Sequence, residues 1–278
     1  MAKLSKITAG FVFLLLLFLG YSYFIEPSTI KVENQVFDLA CLSQNINNEK
    51  IVQISDLHFT DKTSPDRIER IFKEIKKIQP SFIFITGDLV SNKGGGESMV
   101  KLTKQLSEIA KTYIIFGNWD YDVFGAGAGG FEKELKDAGS VVLVDEVSQL
   151  QLGQEMISLA GINDIYRTGS PKESLQKVLG QASSQESCKI LLAHTPDIMK
   201  QDLAKKFDLI LAGHTHGGQV YLPLITKEIV LRIIGGKDFA KDRFKVGDSW
   251  LYVNRGLGVS GFPLRFLSPP EITVLTLK

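Results

Sequence analysis

Short apolar segments alternate with amphipathic helical patterns through the first half of this sequence, and this alternation constrains the fold more than any other feature. Three segments have the apolar composition of buried strands: residues 51–55, 81–86 and 113–116. Ser64 followed by Pro65 is typical of a helix start, and apolar residues keep helical spacing from there to Pro80. A second helix is predicted over residues 97–111. The order β-α-β-α-β predicts parallel strands with helices packed on the sheet.

The rest of the chain adds more strands than helices. Further strands are predicted over residues 29–37, 141–144, 156–160, 190–193, 209–212, 250–253 and 272–277. Further helices are predicted over residues 131–138, 171–181 and 197–205. The sequence has no internal repeat and no linker long enough to separate two domains, so we expect one domain over residues 29–278.

A restricted set of polar side chains follows five of the predicted strands. Its members are Asp56, His58, Asp88, Asn118, His194, His214 and His216. In parallel α/β sheets, ligands bind at the edge where the carboxyl ends of the strands lie. The chain has only four histidines, and all four belong to this set. One Asp-x-His or Gly-Asp motif is more often structural than functional, but the whole set at strand ends predicts a single site.

The residue types of this set indicate metal binding. Imidazole nitrogens together with carboxylate and amide oxygens suit Mn, Fe, Zn or Co better than calcium or a metal that prefers thiolates. Seven ligands exceed what one ion needs, but they suit two ions that share a carboxylate. Two ions about 3.5–4 Å apart activate a bridging water and stabilise the oxygens of a displacement at phosphorus. The pattern therefore predicts a dinuclear centre for phosphoryl chemistry.

The order and spacing of these motifs resemble those of the calcineurin-like metallophosphoesterases, from about residue 50 to the C-terminus. The motifs are Asp56-x-His58, Gly87-Asp88, Gly117-Asn118, His194 and Gly213-His214-x-His216. The resemblance implies an α/β fold, a four-layer α-β-β-α sandwich, and two divalent metal ions (Mn, Fe or Zn). It implies that one ion is held by Asp56, His58 and His216. It implies that the other is held by Asn118, His194 and His214, with Asp88 as the bridge.

The sequence is also similar to a bacterial membrane-associated branch of that family. The similarity lies in residues 213–219 and in residues 254–272. The branch includes exported cell-envelope phosphoesterases and UDP-2,3-diacylglucosamine pyrophosphatases of lipid A synthesis. The resemblance therefore implies a hydrolase of a phosphoester or phosphoanhydride, whose substrate is a phosphorylated small molecule or a lipid-linked compound.

Trp119 departs from the commonest pattern of the family, which has a histidine at this position that binds the phosphate or protonates the leaving oxygen. Tryptophan does no acid–base work at neutral pH, but its indole N–H donates a hydrogen bond and its ring packs against a substrate. Two interpretations stay open. The enzyme is active and needs no strong general acid, as in pyrophosphate cleavage, or the site binds metal with weak or no turnover. Asp120 is predicted to be a structural carboxylate rather than a catalytic one.

Three further residues are candidates for substrate binding. Arg255 and Arg265 are predicted to contact the phosphate together with Trp119, because arginine clamps phosphate through two N–H groups. The alternative is that both arginines are solvated loop residues. An apolar cluster near the C-terminus is interpreted as packing in the core or in a lid. The alternative is a surface that binds the acyl chain of a lipid substrate. The cluster consists of Phe262, Leu264, Phe266 and Leu267.

Residues 7–25 contain no charge and are long enough to cross a bilayer as a helix. Lys3 and Lys6 precede this segment, and two tyrosines lie near its far end, where interfacial aromatic side chains are favoured. A cleaved signal peptide is the alternative, but its apolar region is usually shorter and has a small-x-small cleavage site. We therefore expect a membrane anchor over residues 1–28, in the cytoplasmic membrane. The positive-inside rule places the following domain on the outer, periplasmic or extracellular side.

Charge and cysteine content bear on the remaining classes of function. The formal net charge is +1 and no basic stretch is interleaved with aromatic residues, so neither a nucleic-acid partner nor a nuclease is expected. The hydrophobic content of 44% excludes a disordered chain. Cys41 and Cys188 are far apart in sequence and are interpreted as buried thiols that give no indication of the redox compartment.

Overall fold

Two six-stranded sheets pack face to face and carry helices on both outer surfaces. The computed structural model describes residues 2–42, 49–125, 128–167, 169–182, 188–222 and 225–278. One apolar core fills the space between the sheets and includes Phe37, Phe84, Tyr113, Leu159 and Leu211. Two further cores lie between each sheet and its helices. The architecture is therefore the α-β-β-α sandwich implied by the sequence motifs.

The first sheet has the strand order β1-β12-β2-β3-β4-β5. Its strands are β1 (Lys31–Phe37), β2 (Lys50–Ile54), β3 (Phe82–Thr86), β4 (Lys111–Ile115), β5 (Val141–Val142) and β12 (Glu271–Leu277). Strands β2 to β5 are parallel, whereas β12 runs antiparallel to β2 and parallel to β1. As a result, β1 and β12 begin at the edge of the sheet where β2, β3 and β4 end.

The second sheet has the strand order β10-β11-β9-β8-β7-β6. Its strands are β6 (Glu146–Leu152), β7 (Glu155–Gly161), β8 (Lys189–Leu192), β9 (Leu209–Ala212), β10 (Asp242–Val246) and β11 (Ser249–Val253). The four central strands are parallel, so their carboxyl ends lie at one edge. The sequence pattern does not predict β6 and β10. Both lie at sheet edges and bury few side chains, so they lack the apolar runs that mark the other strands.

Seven α-helices accompany the sheets in the described part of the chain. They are α1 (Ala2–Gly20), α2 (Pro65–Ile78), α3 (Gly96–Ser107), α4 (Asn118–Phe124), α5 (Ala128–Asp137), α6 (Pro171–Gln181) and α7 (Leu231–Ile234). Ser64 caps α2 as predicted, because its hydroxyl accepts a hydrogen bond from the Arg67 N–H. The helix predicted over residues 197–205 is wrong. Two 3-10 helices, Pro196–Lys200 and Ala204–Lys206, occupy that region, and the extended backbone of Gln201 separates them.

The two cysteines are not the free thiols that the sequence analysis predicts. Cys41 and Cys188 form a disulfide, with their Cα atoms 5.2 Å apart. Cys41 follows β1 in the first sheet, and Cys188 immediately precedes β8 in the second, so the bond connects the two halves of the sandwich. The pairing depends on tertiary structure, because 147 residues separate the two positions.

Helix α1 is long and apolar enough to cross a membrane. The candidate span is Lys6–Ser28, and its most apolar stretch of 18 residues is almost entirely exposed. A π-helical turn, Tyr21–Ile25, and a short 3-10 helix, Glu26–Ser28, connect α1 to β1. Because β1 begins at the edge where β2, β3 and β4 end, the apolar helix joins the sandwich at that same edge.

Candidate metal centre

The first cluster of potential ligands joins the ends of β2 and β9. Asp56, His58 and His216 are buried, and one ligand atom from each lies within 4.8 Å of the others. The Nε2 atoms of His58 and His216 are 3.0 Å apart. The Nε2 atom of His216 is 3.4 Å from Asp56 Oδ1. This grouping is the one that the family resemblance implies for the first ion.

The second cluster lies beside the first and consists of Asp88, His194 and His214. Oδ2 of Asp88 is 3.2 Å from the Nε2 atom of His194 in this cluster. The same oxygen is 3.5 Å from the Nε2 atom of His58 in the first cluster. Asp88 therefore lies between the two groups, where a carboxylate shared by two ions would be placed.

Asn118 supplies an independent test of whether these residues fit a metal. Its Oδ1 atom is buried and has no hydrogen-bond partner among the described residues. A buried polar atom without a partner costs about 1–3 kcal/mol, so such atoms are rare in folded proteins. An amide oxygen that ligates a cation avoids this cost, and the nitrogen and oxygen donors around it suit a first-row divalent ion. The donor set therefore fits two divalent metal ions.

The imidazole rings are oriented by hydrogen bonds on their far sides. Nδ1 of His194 is 2.8 Å from the carbonyl oxygen of Thr86, which makes this nitrogen the donor. Nδ1 of His58 is 3.0 Å from the hydroxyl of Ser91. In both rings Nε2 remains directed at the cluster. Such contacts fix the tautomer and the ring direction of a metal-ligating histidine.

The backbone at the site adopts conformations that side chains rarely take. The φ angle is positive at five of the potential ligands: Asp56, His58, Asp88, His214 and His216. Residues other than glycine in this region cost about 1–3 kcal/mol each and concentrate at functional sites. Close packing adds to the constraint, because a Cβ atom at Gly117 would lie 2.3 Å from Oδ1 of Asp88. The tight turns after the strands thus bring the side chains together.

Asp120 organises the turns around Asp88 from a fully buried position. Its Oδ1 accepts hydrogen bonds from the N–H groups of Leu89 and Val90, at 2.9 and 3.2 Å. Its Oδ2 accepts one from the N–H of Gly117, at 2.9 Å. Because both oxygens are occupied by backbone donors, Asp120 holds two loops together and does not face the pocket. Burial, with the negative charge of Asp88, raises the pKa of Asp120 to about 8.

The electrostatics of Asp88 differ from those of Asp120. Burial by itself would raise the pKa of Asp88, but the neighbouring His194, His58 and His214 hold it well below its usual range. Asp88 is therefore an anionic group in the interior, surrounded by imidazoles. Buried charge of this kind requires compensating partners, which the histidines and a bound cation would provide.

The two clusters open into a pocket of about 980 Å³. A pocket of this size accommodates a small-molecule ligand or a large head group. Trp119 lies at its wall, with its ring edge-on to His58 at a centroid distance of 5.5 Å. Its backbone N–H donates to Asp88 Oδ1 at 2.9 Å. Trp119 thus occupies the position next to the clusters that the sequence analysis predicts for it.

The loop after β7 contributes residues that the sequence analysis does not single out. Tyr166 lines the pocket, and its ring lies 5.6 Å from that of His214. Burial, with the negative charge of Asp197, raises the pKa of the Tyr166 hydroxyl to about 12, so it stays a hydrogen-bond donor at neutral pH. Asp164 accepts a hydrogen bond from the backbone N–H of Tyr166 at 3.0 Å. Ligands bind at the carboxyl ends of parallel strands, and this rule also applies to the end of β7. It would therefore have identified this loop.

The structure does not support the prediction that Arg255 and Arg265 clamp a phosphate. The Arg265 side chain is fully buried, and it donates to the carbonyl oxygens of Gly258 and Ser268. Arg255 forms ion pairs with Glu33 and Glu271. Neither arginine is a solvated loop residue, as the alternative proposed. Their guanidinium groups hold the C-terminal loops in place.

Fold and clusters together define a metallophosphoesterase. The sequence matches the calcineurin-like phosphoesterase family over residues 49–218, and the chain belongs to this family. It is a hydrolase of phosphoesters, as the strand-end motifs predict.

Several relatives match nearly the whole chain. An uncharacterized metallophosphoesterase of Bacillus subtilis, YkuE, is 30% identical over 263 residues, which cover 93% of this chain and 89% of the relative. The phosphodiesterase YaeI of Escherichia coli is 27% identical over 260 residues, which cover 93% and 92% of the two chains. Among solved structures, a dimetal phosphatase from Danio rerio matches with a TM-score of 0.52 at 8% identity, covering 78% and 90% of the two chains. This last similarity concerns the fold.

Proposed function

We propose that this protein is a membrane-anchored, dinuclear-metal phosphohydrolase that cleaves a phosphodiester or phosphoanhydride bond. The observation that carries the proposal is the position of Asp88, whose Oδ2 lies within 3.5 Å of histidines from both clusters. A carboxylate shared in this way suits a pair of ions better than two separate sites. The similarity to the phosphodiesterase YaeI supports the reaction type.

Each ion would have its own protein ligands. Asp56, His58 and His216 would hold the first ion. Asn118, His194 and His214 would hold the second, with Asp88 contacting both. When bound, the ions supply Lewis acidity, lower the pKa of water and neutralise charge on phosphoryl oxygens. The protein contributes the fixed geometry: the far-side hydrogen bonds of His58 and His194 orient their rings before the ions bind.

Trp119 favours a substrate with a good leaving group. Its indole cannot protonate a leaving oxygen, and the neighbouring Asp120 is occupied by three backbone N–H groups. General acid catalysis is worth about 10²–10⁴-fold, and its absence is least harmful when the leaving group has a low pKa. A phosphate leaving group, as in a phosphoanhydride, meets this condition. The Tyr166 hydroxyl also lies at the pocket wall, where it donates to Oδ2 of Asp197 at 3.3 Å.

The anchor and the disulfide support a location of the domain outside the cytoplasmic membrane. Lys3 and Lys6 favour a cytoplasmic N-terminus, which puts the sandwich outside the cytoplasmic membrane. The Cys41–Cys188 bond supports this side, because disulfides persist in oxidising compartments and are rare in the cytosol. A UDP-linked substrate is cytoplasmic, so this location argues against a UDP-2,3-diacylglucosamine pyrophosphatase. A lipid-linked or small phosphorylated compound of the cell envelope is the better match.

Hydrolysis by the full-length protein, reconstituted with manganese, tests the proposal. A simple phosphodiester, a phosphomonoester and a UDP-linked pyrophosphate are compared side by side. Asp88→Asn serves as the inactive variant, and Asp248→Asn, which makes the same change at an exposed turn, serves as its control. We expect turnover on the diester or the pyrophosphate, lost in Asp88→Asn and kept in Asp248→Asn.

Three outcomes would change the conclusion. Two bound ions with no turnover on any of the three substrates would favour a non-catalytic metal-binding module of the envelope. Turnover that is confined to the pyrophosphate would favour the UDP-lipid enzymes despite the expected location. Turnover that survives in Asp88→Asn would contradict the shared-carboxylate site itself.

A further inference from the structure

The metal pocket and the apolar anchor are parts of one edge of the molecule. The loop of residues 260–268 contributes Phe262 and Leu264 to the wall of the pocket. The same loop packs against the end of the anchor. The ring of Phe266 lies 4.8 Å from that of Phe18 and 6.2 Å from that of Tyr21, measured between centroids. The pocket wall is thus in direct contact with the apolar segment.

Backbone and side-chain hydrogen bonds fix this contact. The N–H of Arg265 donates to the carbonyl oxygen of Ser22 at 2.9 Å. The N–H of Ser268 donates to Oε1 of Glu26, a buried carboxylate, at 2.6 Å. These bonds tie the loop to Ser22 within the π-helical turn and to Glu26 directly after it. The loop therefore has a defined position along the anchor.

That position lies within the apolar segment. Phe18 precedes the end of the uncharged run at Ile25 by seven residues, which corresponds to about 10 Å along a helix. A side chain that packs on Phe18 therefore lies on the hydrocarbon side of the membrane interface if the anchor spans a bilayer. The aromatic side chains of Tyr21, Tyr23 and Phe266 match the composition of such an interface.

Four large apolar side chains in residues 225–229 and in the 260–268 loop are exposed. We define them as the apolar rim: Ile225, Ile229, Phe262 and Leu267. Phe262 is 81% exposed, and the other three are between 54% and 57% exposed. Exposed apolar groups of this size, gathered beside a pocket, mark an interaction surface.

The two chain segments that carry the rim form one packed unit. Nε2 of Gln219 donates to the carbonyl oxygens of Ser260 and Phe262, at 3.0 and 2.6 Å. Tyr221 donates its N–H to the carbonyl oxygen of Phe266 at 2.8 Å. The amine of Lys241 lies 4.0 Å from the centre of the Tyr221 ring. Such a basic side chain suits the level of phosphate head groups.

From these contacts we propose that the apolar rim enters the bilayer that α1 crosses, so that the metal pocket opens at the membrane surface and takes a phosphate carried by a membrane lipid. The proposal rests on the anchored state proposed above and names the source of the substrate. The occupant of the rim is the lipid interface, because the loop that carries Phe262 and Leu267 packs through Phe266 on Phe18 of the candidate membrane span Lys6–Ser28. The lipid would present its head group to the pocket from the rim side.

Fluorescent labels on the full-length protein test the membrane contact. Both native cysteines form the disulfide, so a single introduced cysteine can be labelled with NBD. Phe262→Cys and Ile229→Cys probe the rim. Because two positions are used, the test still works if one of the two variants fails to fold. Leu14→Cys in α1 is the control for lipid burial. Met156→Cys, at the opposite end of the second sheet, is the control for water exposure.

The labelled proteins are placed in nanodiscs of phosphatidylethanolamine and phosphatidylglycerol. We expect the labels at 262 and 229 to show blue-shifted emission and quenching by doxyl lipids, as the label at 14 does. The label at 156 should instead be quenched by aqueous iodide. If the labels at 262 and 229 behave like the label at 156 while the label at 14 is in lipid, the proposal is overturned. If the label at 14 is also in water, both this proposal and the anchored state are overturned. Hydrolysis by the protein would remain a separate result that this outcome does not affect.

Hydrolysis by Ile229→Asp addresses the source of the substrate. Ile229 does not line the pocket, so this variant should turn over a water-soluble aryl phosphodiester at the wild-type rate. Its turnover of a phospholipid-like diester embedded in the nanodisc should fall several-fold relative to Ile229→Val, because a charge on the rim opposes insertion. Equal rates of Ile229→Asp and Ile229→Val on the embedded substrate would overturn the proposal.

Discussion

The Nε2 atoms of His58 and His216 face each other at a distance of 3.0 Å. Two ring nitrogens at this distance suit a common cation, because both can then act as electron-pair donors. Oδ2 of Asp88 lies 3.5 Å from Nε2 of His58 and so adds negative charge at the same point. The fold therefore holds its donors in place, and the stability of the protein should depend on the ions.

Removal of divalent metal should lower the thermal stability of the protein. A ligand that binds the folded state alone, at a free concentration 100-fold above its Kd, stabilises it by about 2.7 kcal/mol. We expect chelation to lower the melting temperature measured by calorimetry and added manganese to restore it. In Asp88→Asn the effect of manganese should be much smaller, and in Asp248→Asn it should be unchanged. An equal response of all three proteins would show that the clusters do not bind the ions.

Replacement of Asp120 should weaken metal binding or activity, although Asp120 itself is not one of the metal ligands. The Asn variant can accept through one oxygen only, so it loses part of the three backbone hydrogen bonds that hold the loops near Asp88. Groups that orient metal ligands in this way typically contribute about 10–100-fold to affinity or activity. Manganese titration and kcat/KM measure the effect. Asp137→Asn, on the exposed face of α5, is the matched control and should behave as wild type.

Trp119→His should widen the range of leaving groups. An imidazole at this position can protonate a leaving oxygen, which tryptophan cannot. Since general acid catalysis is worth about 10²–10⁴-fold, we expect a gain of about 10-fold or more on alkyl phosphodiesters and little change on activated aryl esters. Comparison of kcat for the two ester types measures the effect. Trp119→Phe keeps an aromatic ring and should give no gain, and an equal gain in both variants would refute the explanation.

Loss of the disulfide should destabilise the sandwich. Removal of a native disulfide typically costs about 2–5 kcal/mol, and the Cys41–Cys188 bond closes a long loop across the two sheets. We expect the double variant Cys41→Ser/Cys188→Ser to unfold at lower urea concentration than the oxidised wild type. Wild type under reducing conditions should match the double variant. Blocking free thiols before reduction in intact cells would show whether the bond forms there, and labelled free thiols would argue for a cytoplasmic domain.

The strand ends were the part of the site that the sequence could predict. Apolar runs identify β2, β3, β4, β8 and β9, and the rule that ligands lie at their carboxyl ends then selects the potential metal ligands. The short turns that follow these strands keep sequence neighbours close to the sheet edge. At these strand ends the local sequence pattern is therefore enough to predict where the side chains lie in the folded structure.

Other features depend on contacts that no local pattern encodes. Arg265 is typical of a solvated or phosphate-binding residue by type, yet it is buried by the loops that its N–H groups bind. The pairing of Cys41 with Cys188 requires the two sheets to be packed on each other, because the cysteines lie next to strands of different sheets. Tyr166 reaches the pocket because the loop after β7 folds back toward His214. These positions are set by tertiary packing rather than by composition.

The place of β12 in the first sheet has a consequence for the order of events during synthesis. Within the described chain, β1 joins the sheet only through β12, which lies between β1 and β2. The ribosome makes residues 31–37 long before residues 271–277, so β1 waits for its partner until nearly all of the domain has emerged. Contacts between such distant segments form slowly. If α1 is the membrane anchor proposed above, it reaches the membrane before the domain has folded. The sandwich then closes after translation, with its unpaired strand already held at the bilayer.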